Sequence, residues 1–374
     1  MTDARPAATS DAKTVLVTGG GGYIGQRLAL RLLEQSDAQI VLFVHGDPTA
    51  PPEVPGALAG FAGRVRVVAG ELADDGAFAG VDDATRASLT HLVHGAAVTR
   101  FNVEADLADR VNIGGTRRVL ELARRCPRLE HFTLVSTVYA AGLVDGEIAE
   151  TALPRAPRFA NHYERSKWEA EQLLAALPPP CPSTIARVAT VIADDAGGTV
   201  TQKNAVHNTL KLLFHGLLSL LPGEAATPVY FVTGELVVEA LAALVLGAER
   251  PPVVHVSHGP DESATLGELV DVAFEVFDQD TGFRGRRLLK PLLVDAESFE
   301  LLVSGIDGFG GDAVRQALVS VAPFARQLFS PKHVRTDALR ALVPGYRAPL
   351  PTDLVRSSVT HLVDTRWGRA RAGA

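Results

Sequence analysis

Sulfur is scarce in this sequence: two cysteines, Cys126 and Cys181, and one methionine among 374 residues. Neither cysteine has a histidine or cysteine neighbour at metal spacing, which argues against a disulfide framework and against a zinc site. They read as two unpaired intracellular thiols. Long apolar runs are missing too. Leu212–Leu221 and Leu241–Gly247 are interrupted or far shorter than the ~20 apolar residues of a membrane span. Met1–Lys13 is polar and Ala-rich, without the charged-then-apolar pattern of a secretory leader. Positive charge is outnumbered, 36 Lys and Arg against 43 Asp and Glu, and the net −7 argues against a nucleic-acid partner. The rest of the composition, 47% hydrophobic and 21% charged, is that of an ordinary globular chain. Its length suits one large α/β domain with an appendage, or two domains. The expectation is a soluble cytoplasmic protein with no membrane span and no metal site.

What is present is an alternation. Val15–Thr18, Ile40–Val44, Val65–Ala69, Leu92–His94 and Phe132–Ser136 are short, β-branched, continuously apolar runs. Such runs suit parallel strands covered on both faces. Helical patterns intervene at Ile24–Glu34 and Ala105–Arg125, and His162–Leu177 follows the fifth strand. The order predicts an α/β fold with a doubly wound parallel sheet. A Pro-rich stretch, Asp47–Gly63, reads as a loop, and Pro178–Pro180 with Pro182 ends the long helix before the strand Thr184–Val188.

From about residue 195 the pattern changes. After Gly197 and Gly198, the residues Leu210, Leu213, Phe214, Leu217, Leu218 and Leu221 recur at helical period. A core-facing helix and the wall of an apolar substrate pocket both fit them. Val253–Val256 is strand-like and Leu266–Phe277 helical, while the region after about 280 has no legible pattern. The expected division is a disordered tail over 1–12, a dinucleotide-binding domain over 13–195, and a smaller C-terminal substrate-binding subdomain over 196–374. Segments around 228–260 are expected to return to the first domain.

The first strand runs straight into Thr18-Gly19-Gly20-Gly21-Gly22-Tyr23-Ile24-Gly25 and then an amphipathic helix. Glycines at this spacing let the backbone turn tightly and approach a pyrophosphate, which the helix N-terminus attracts. An acidic residue closing the second strand would bind the adenosine ribose and repel a 2′-phosphate. Here Val44 and His45 stand instead, with Asp47 slightly later. NADP (NADPH) is therefore favoured, with NAD left open by Asp47. His45 either faces a 2′-phosphate or is an exposed loop residue.

Tyr163 and Lys167 lie at i and i+4, on one face of the helix after the fifth strand. A cation one turn away would bring a phenol toward a useful pKa. Ser136 and Thr137 end the fifth strand at the carboxyl edge of the sheet, where open α/β folds bind ligands. The set combines a hydride carrier, a proton donor, a tuning cation and an oxygen-positioning hydroxyl.

The chain thus resembles the extended short-chain dehydrogenase/reductase superfamily and its Rossmann-type fold. The resemblance rests on Thr18–Gly25, Gly95-Ala96-Ala97, Val111-Asn112-Ile113-Gly114-Gly115-Thr116, Val135–Tyr139 and Tyr163–Lys167, in the family's order over roughly residues 13–260. It implies Tyr163 as general acid/base, Lys167 as the group that tunes it and holds the nicotinamide ribose, and Thr137 as the residue that orients the carbonyl. Ser136 joins the catalytic group. Asn112 is implied as a structural or relay residue near the cofactor. Gly19, Gly22, Tyr23, Ile24, Gly25, His45, Glu71, Leu72, Ala96 and Ala97 are implied to line the cofactor.

Within the superfamily the chain is similar to the thioester-reductase and fatty-acyl-CoA-reductase (male-sterility-type) branch. That similarity rests on Gly95–Asn102, Val135–Gly142 with Glu150, Asn161–Glu171 and Pro228–Val232. The branch commonly has Arg where His45 stands, and Arg-Pro where Arg187-Val188 stands. It implies NADPH-dependent reduction of an acyl group held on coenzyme A or a carrier protein, here arriving in trans, or of a related ketone or aldehyde. Helix-mediated homodimers are common in the superfamily. A nucleotide-sugar epimerase or dehydratase with bound NAD, and a dinucleotide-sensing regulator, are the alternative functions.

Overall fold

The computed structural model describes residues 12–50, 53–153, 157–305, 318 and 321–368. The tail expected over 1–12 therefore lies outside the described residues, except for Ala12.

Seven parallel strands form the central sheet: β1 (Thr14–Thr18), β2 (Gln39–His45), β3 (Val65–Gly70), β4 (His91–His94), β5 (His131–Thr137), β6 (Ser183–Val188) and β7 (Val253–Val256). Their spatial order is β7-β6-β5-β4-β1-β2-β3, with the reversal of direction between β1 and β4. This is a Rossmann-type sheet, and its carboxyl edge at the reversal is where such folds hold ligands. The strands are continuously apolar because each face is covered. α1 (Tyr23–Gln35) and α5 (Gly234–Leu246) belong to the core on one face, α2 (Gly115–Ala123) to the core on the other. Leu28, Leu32 and Leu33 of α1 are almost wholly buried, each contributing about 1.5–3 kcal/mol of apolar transfer. α5 is apolar except for Glu235 and Glu239, the latter ion-paired with Arg31 of α1, because it sits between the sheet, α1 and the later chain.

α3 (His162–Ala176) starts where the Asn161 side chain accepts from the Glu164 N–H. The helix expected over Ala105–Arg125 is interrupted: Asp109–Gly114 widens into a π turn before α2 begins. The stretch read as a loop before β3 instead contains short 3₁₀ turns over Gly56–Arg64.

A second apolar cluster gathers α4 (Ala205–Phe214), α6 (Leu266–Phe277) and α7 (Pro351–Asp364). Its centre is aromatic, with Phe214, Phe274, Phe277, Phe283 and Trp367 at centroid separations of 5.2–6.4 Å. The helical stripe expected to continue to Leu221 stops at Phe214. Gly216 takes φ 71°, and Leu220–Pro222 then pairs in parallel with Leu292–Val294. Thr190–Ala193 pairs with Phe231–Thr233, and Gly146–Ile148 with Lys332–Val334. These small ladders tie the later chain to loops at the carboxyl edge of the main sheet. The stretch without a sequence pattern after 280 holds short helices over Thr281–Arg286, Ala296–Ser304 and Asp337–Leu342. Among the described residues no helix is long and apolar enough to cross a membrane.

Candidate active site

A cleft of about 1390 Å3 opens along the carboxyl edge, walled by the glycine turn, the ends of β2–β5, the start of α3 and the start of α4. Two glycines of the turn are sterically compelled. Gly19 has φ 74°, and a Cβ there would sit 3.0 Å from the Ala96 nitrogen. A Cβ on Gly25 would lie 2.2 Å from the Gly19 carbonyl oxygen. At Gly22 no side chain caps α1, so the first-turn N–H groups face the cleft end with the positive pole of the helix dipole. The turn therefore fits a dinucleotide pyrophosphate. Ile24 lines it, and Tyr23 is clamped beside it: its hydroxyl donates to Asp194 (2.6 Å), while Arg27 stacks 4.0 Å over its ring.

A buried relay ties the turn to the opposite wall. Ala96 N–H donates to Thr18 Oγ1, which pairs with His94 Nδ1 at 2.7 Å. His94 Nε2 meets Thr116 Oγ1 at 3.0 Å, and that hydroxyl donates to the Asn112 carbonyl. Since Thr116 spends its proton on Asn112, His94 carries its proton on Nε2 and accepts from Thr18. Desolvation keeps this ring neutral, pulling its pKa down to about 3. The Asn112 side chain accepts from Val98 N–H (2.8 Å) and donates to Val98 O and Ser166 Oγ. Asn112, expected as a structural or relay residue near the cofactor, pins the Ala96–Val98 loop to α3 from behind the cleft wall. The π turn presents its side chain for this job.

Ala96, Ala97 and Leu72 line the cleft. His45 and Glu71 close its far end, paired at 2.9 Å from adjacent strand ends, with His45 well exposed and Glu71 partly so. His45 is exposed at the end of β2 and lines the cleft, with the Glu71 carboxylate on its outer face.

At the other end Thr137, Tyr163 and Lys167 share one wall. The Thr137 hydroxyl interacts with the Tyr163 phenol. Lys167 donates to the Val135 carbonyl at 2.8 Å, and burial pulls its pKa down to about 8. Tyr163 departs from the expected tuning. Burial is the largest influence and raises its pKa; Thr137 supplies the main opposing effect. Ser136 also departs from expectation. Its hydroxyl donates to Glu171 at 2.6 Å, within a buried network with Arg187, so it braces α3 against β5 and β6 rather than facing Tyr163.

Two features escaped sequence reasoning. Glu164, beside Tyr163, is fully buried and accepts from Ala160 N–H, Asn161 Nδ2 and Gln327 Nε2, while Lys332 donates to Gln327 Oε1. Burial pushes Glu164 up to about 7 and Lys332 down to about 8. Glu164 in Tyr163–Lys167 looks like a solvent-facing charge, and only the return of 327–332 across α3 buries it. Phe101 is the other, its ring 5.7 Å from Tyr163, 5.8 Å from Tyr139 and 6.0 Å from Phe324.

A parallel sheet with this strand order, a glycine turn under α1 and a Thr–Tyr–Lys wall define an extended short-chain dehydrogenase/reductase. The chain belongs to the male sterility protein family, whose model matches residues 17–241. An isonitrile lipopeptide synthase of Streptomyces coeruleorubidus is 27% identical over 282 residues, covering 71% of this chain and 19% of the synthase. The chain thus spans about a fifth of that relative's length. The terminal R domain of the myxalamid PKS-NRPS biosynthetic pathway has a TM-score of 0.73 at 19% identity, over 98% of this chain and 94% of the domain. UDP-glucuronic acid 4-epimerase from Bacillus cereus, in complex with NAD, has a TM-score of 0.64 at 15% identity, over 94% and 99% of the two chains. At such identities the likeness to both structures shows the fold.

Proposed function

We propose that this protein uses NADPH to reduce an acyl thioester, carried on coenzyme A or a carrier protein, to an aldehyde. The observation that carries the reading is that Thr137, Tyr163 and Lys167 share one end of a cleft whose opposite end is the glycine turn. Kinship to the lipopeptide synthase supports it.

When bound, the reduced nicotinamide supplies a hydride to the carbonyl carbon. Gly19, Gly22 and Gly25 leave room for the pyrophosphate, and Lys167 would hold the ribose. Thr137 orients the carbonyl oxygen. Tyr163 gives that oxygen its proton as the C=O π bond breaks, leaving a hemithioacetal. The C–S bond then breaks, the hydroxyl proton passes to sulfur, and aldehyde and thiol separate. The raised pKa of Tyr163 keeps the phenol protonated, as a donor must be, until a ligand changes its surroundings.

NADPH is the proposed donor because Val44 and His45 close β2 without a carboxylate that would repel a 2′-phosphate. The cleft's other cations suit a nucleotide-sugar diphosphate poorly: besides Lys167 there are Arg100 and Lys203, and the Lys203 ammonium is engaged by the Trp367 carbonyl. The reading keeps the protein in the cytoplasm, with Cys126 and Cys181 as free thiols.

The test is NADPH and NADH oxidation over acyl-CoA and carrier-bound thioesters, aldehydes and ketones, with Tyr163→Phe alongside. Expected is thioester turnover to aldehyde, with kcat lowered by about 10²–10⁴ in the variant and dinucleotide affinity kept. Turnover of ketones alone would remove the thioester. NAD released only on denaturation, with no turnover, would move the assignment to an epimerase.

A further inference from the structure

Behind the catalytic wall lies a second cavity of about 80 Å3, and it shares Phe101, Tyr139, Thr190, Ala205 and Val206 with the main cleft. Its remaining walls come from α4, α6 and the ladders beside them, chiefly Leu210, Leu213, Leu221, Phe231, Leu269 and Val270. The Phe101 ring stands at the partition, edge-on to both Tyr163 and Tyr139.

Only four lining side chains carry polar atoms, and each is already bonded within the protein. Tyr139 and Thr190 pair hydroxyl to hydroxyl at 3.0 Å. Thr209 donates to the Ala205 carbonyl. Gln327 spends its amide on Glu164 and its carbonyl on Lys332. Each polar lining side chain already has a partner within the protein, so a charged group entering would find little compensation for its desolvation. An alkyl chain would meet no such cost.

We propose that this side chamber receives the alkyl end of the substrate, threaded past Phe101 from a carbonyl held at Thr137 and Tyr163, and so selects for apolar acyl chains of limited length. The inference rests on the reductase reading for the position of the carbonyl. A volume of about 80 Å3, at roughly 25–30 Å3 per water- or methylene-sized group, holds about three carbons beyond the partition. The apolar stripe of α4 is in this way both core and pocket wall: Leu210 and Leu213 border the chamber, and Phe214 turns to the aromatic cluster.

The test has two arms. In the first, kcat/KM is measured for straight-chain acyl-CoA thioesters from two to sixteen carbons. It is expected to rise about three- to fourfold per methylene and then level off or fall once the chamber is full. Leu269→Trp, which narrows the chamber far from the reacting atoms, should lower kcat/KM at least tenfold for the preferred chain and less than threefold for acetyl. Leu269→Ala, which enlarges it, should move the optimum one or two carbons longer. A flat chain-length profile, or equal effects of both variants on all chains, overturns the proposal while leaving thioester reduction standing.

The second arm needs no turnover. Calorimetric binding of straight-chain alcohols of four to twelve carbons should tighten with length in the wild type, with a negative heat-capacity change, and lose that trend in Leu269→Trp. That trend together with absent thioester turnover would keep the chamber and refute the reductase reading. No length dependence would overturn the chamber.

Discussion

Replacing Glu171 by Gln should destabilise this protein by an amount that its surroundings define. The carboxylate is 2% exposed and the Arg187 guanidinium 0%. Arg187 Nε and Nη2 donate to it at 3.0 and 2.8 Å, and Ser136 donates at 2.6 Å. Nη1 of Arg187 reaches His255 Nε2 at 3.1 Å, while His255 Nδ1 meets the Arg335 carbonyl at 2.8 Å. His255 must accept from Arg187, so it is neutral, and burial with the adjacent guanidinium holds its pKa down at about 4. Glu171 is therefore the sole formal counter-charge in contact with Arg187 among the described residues.

Glu171→Gln keeps the shape and removes that charge, stranding a guanidinium in a dry interior. Loss of one partner from such a pair costs about 3–5 kcal/mol. Spread over an unfolding entropy of ~2.1 cal/mol/K per residue, this lowers Tm by roughly 4–6 °C for a cooperative chain of 374 residues. Arg187→Met should cost a similar amount by stranding the carboxylate. Glu171→Leu combined with Arg187→Met should return most of the loss, because well-packed apolar replacements avoid desolvation altogether. Thermal unfolding by circular dichroism at one fixed scan rate, with urea midpoints for the cycle, measures all three. A drop below 2 °C for Glu171→Gln, or an additive double variant, would refute the assignment of an isolated buried pair.

Gly25→Ala forces a Cβ to within 2.2 Å of the Gly19 carbonyl, so dinucleotide affinity should fall at least tenfold in a fluorescence titration while far-UV dichroism is kept. Unchanged affinity would mean that the turn does not bind pyrophosphate. His94 has its pKa held at about 3 in the fold against an ordinary 6.5. Between those values the unfolded chain binds a proton the fold refuses, so the stability present above pH 6.5 is lost as pH falls toward 3. His94→Gln should flatten the slope of stability against pH by up to ~1.4 kcal/mol per unit between pH 6 and 4, read from urea midpoints. An unaltered slope would show the ring to be hydrated. Glu71→Gln removes the carboxylate from His45 and should raise the preference for NADPH over NADH severalfold in steady-state kinetics; a fall would place Glu71, not His45, on the ribose.

Much of this protein is written locally. Strand positions follow from short apolar runs, because a strand covered on both faces has no polar side to show. The glycine turn, the Tyr163–Lys167 spacing and the strand end at Thr137 follow from residues adjacent in sequence, whose chemistry needs only the next helix or strand to be positioned. At Leu210 and Leu213 helical periodicity says that a face is apolar and not what it meets.

Tertiary structure decided the rest, wherever the meaning of a side chain depends on a partner far along the chain. Ser136 looked like a second catalytic hydroxyl until Glu171 and Arg187 closed on it. Which groups Asn112 holds, Val98 and Ser166, follows only from the π turn that aims its side chain at them. Glu164 is a buried acid only because Gln327 and Lys332 return beside α3. Burial, which costs a charge several kcal/mol and a hydrocarbon nothing, is a property of all the neighbours at once, and a single stretch of sequence does not contain them.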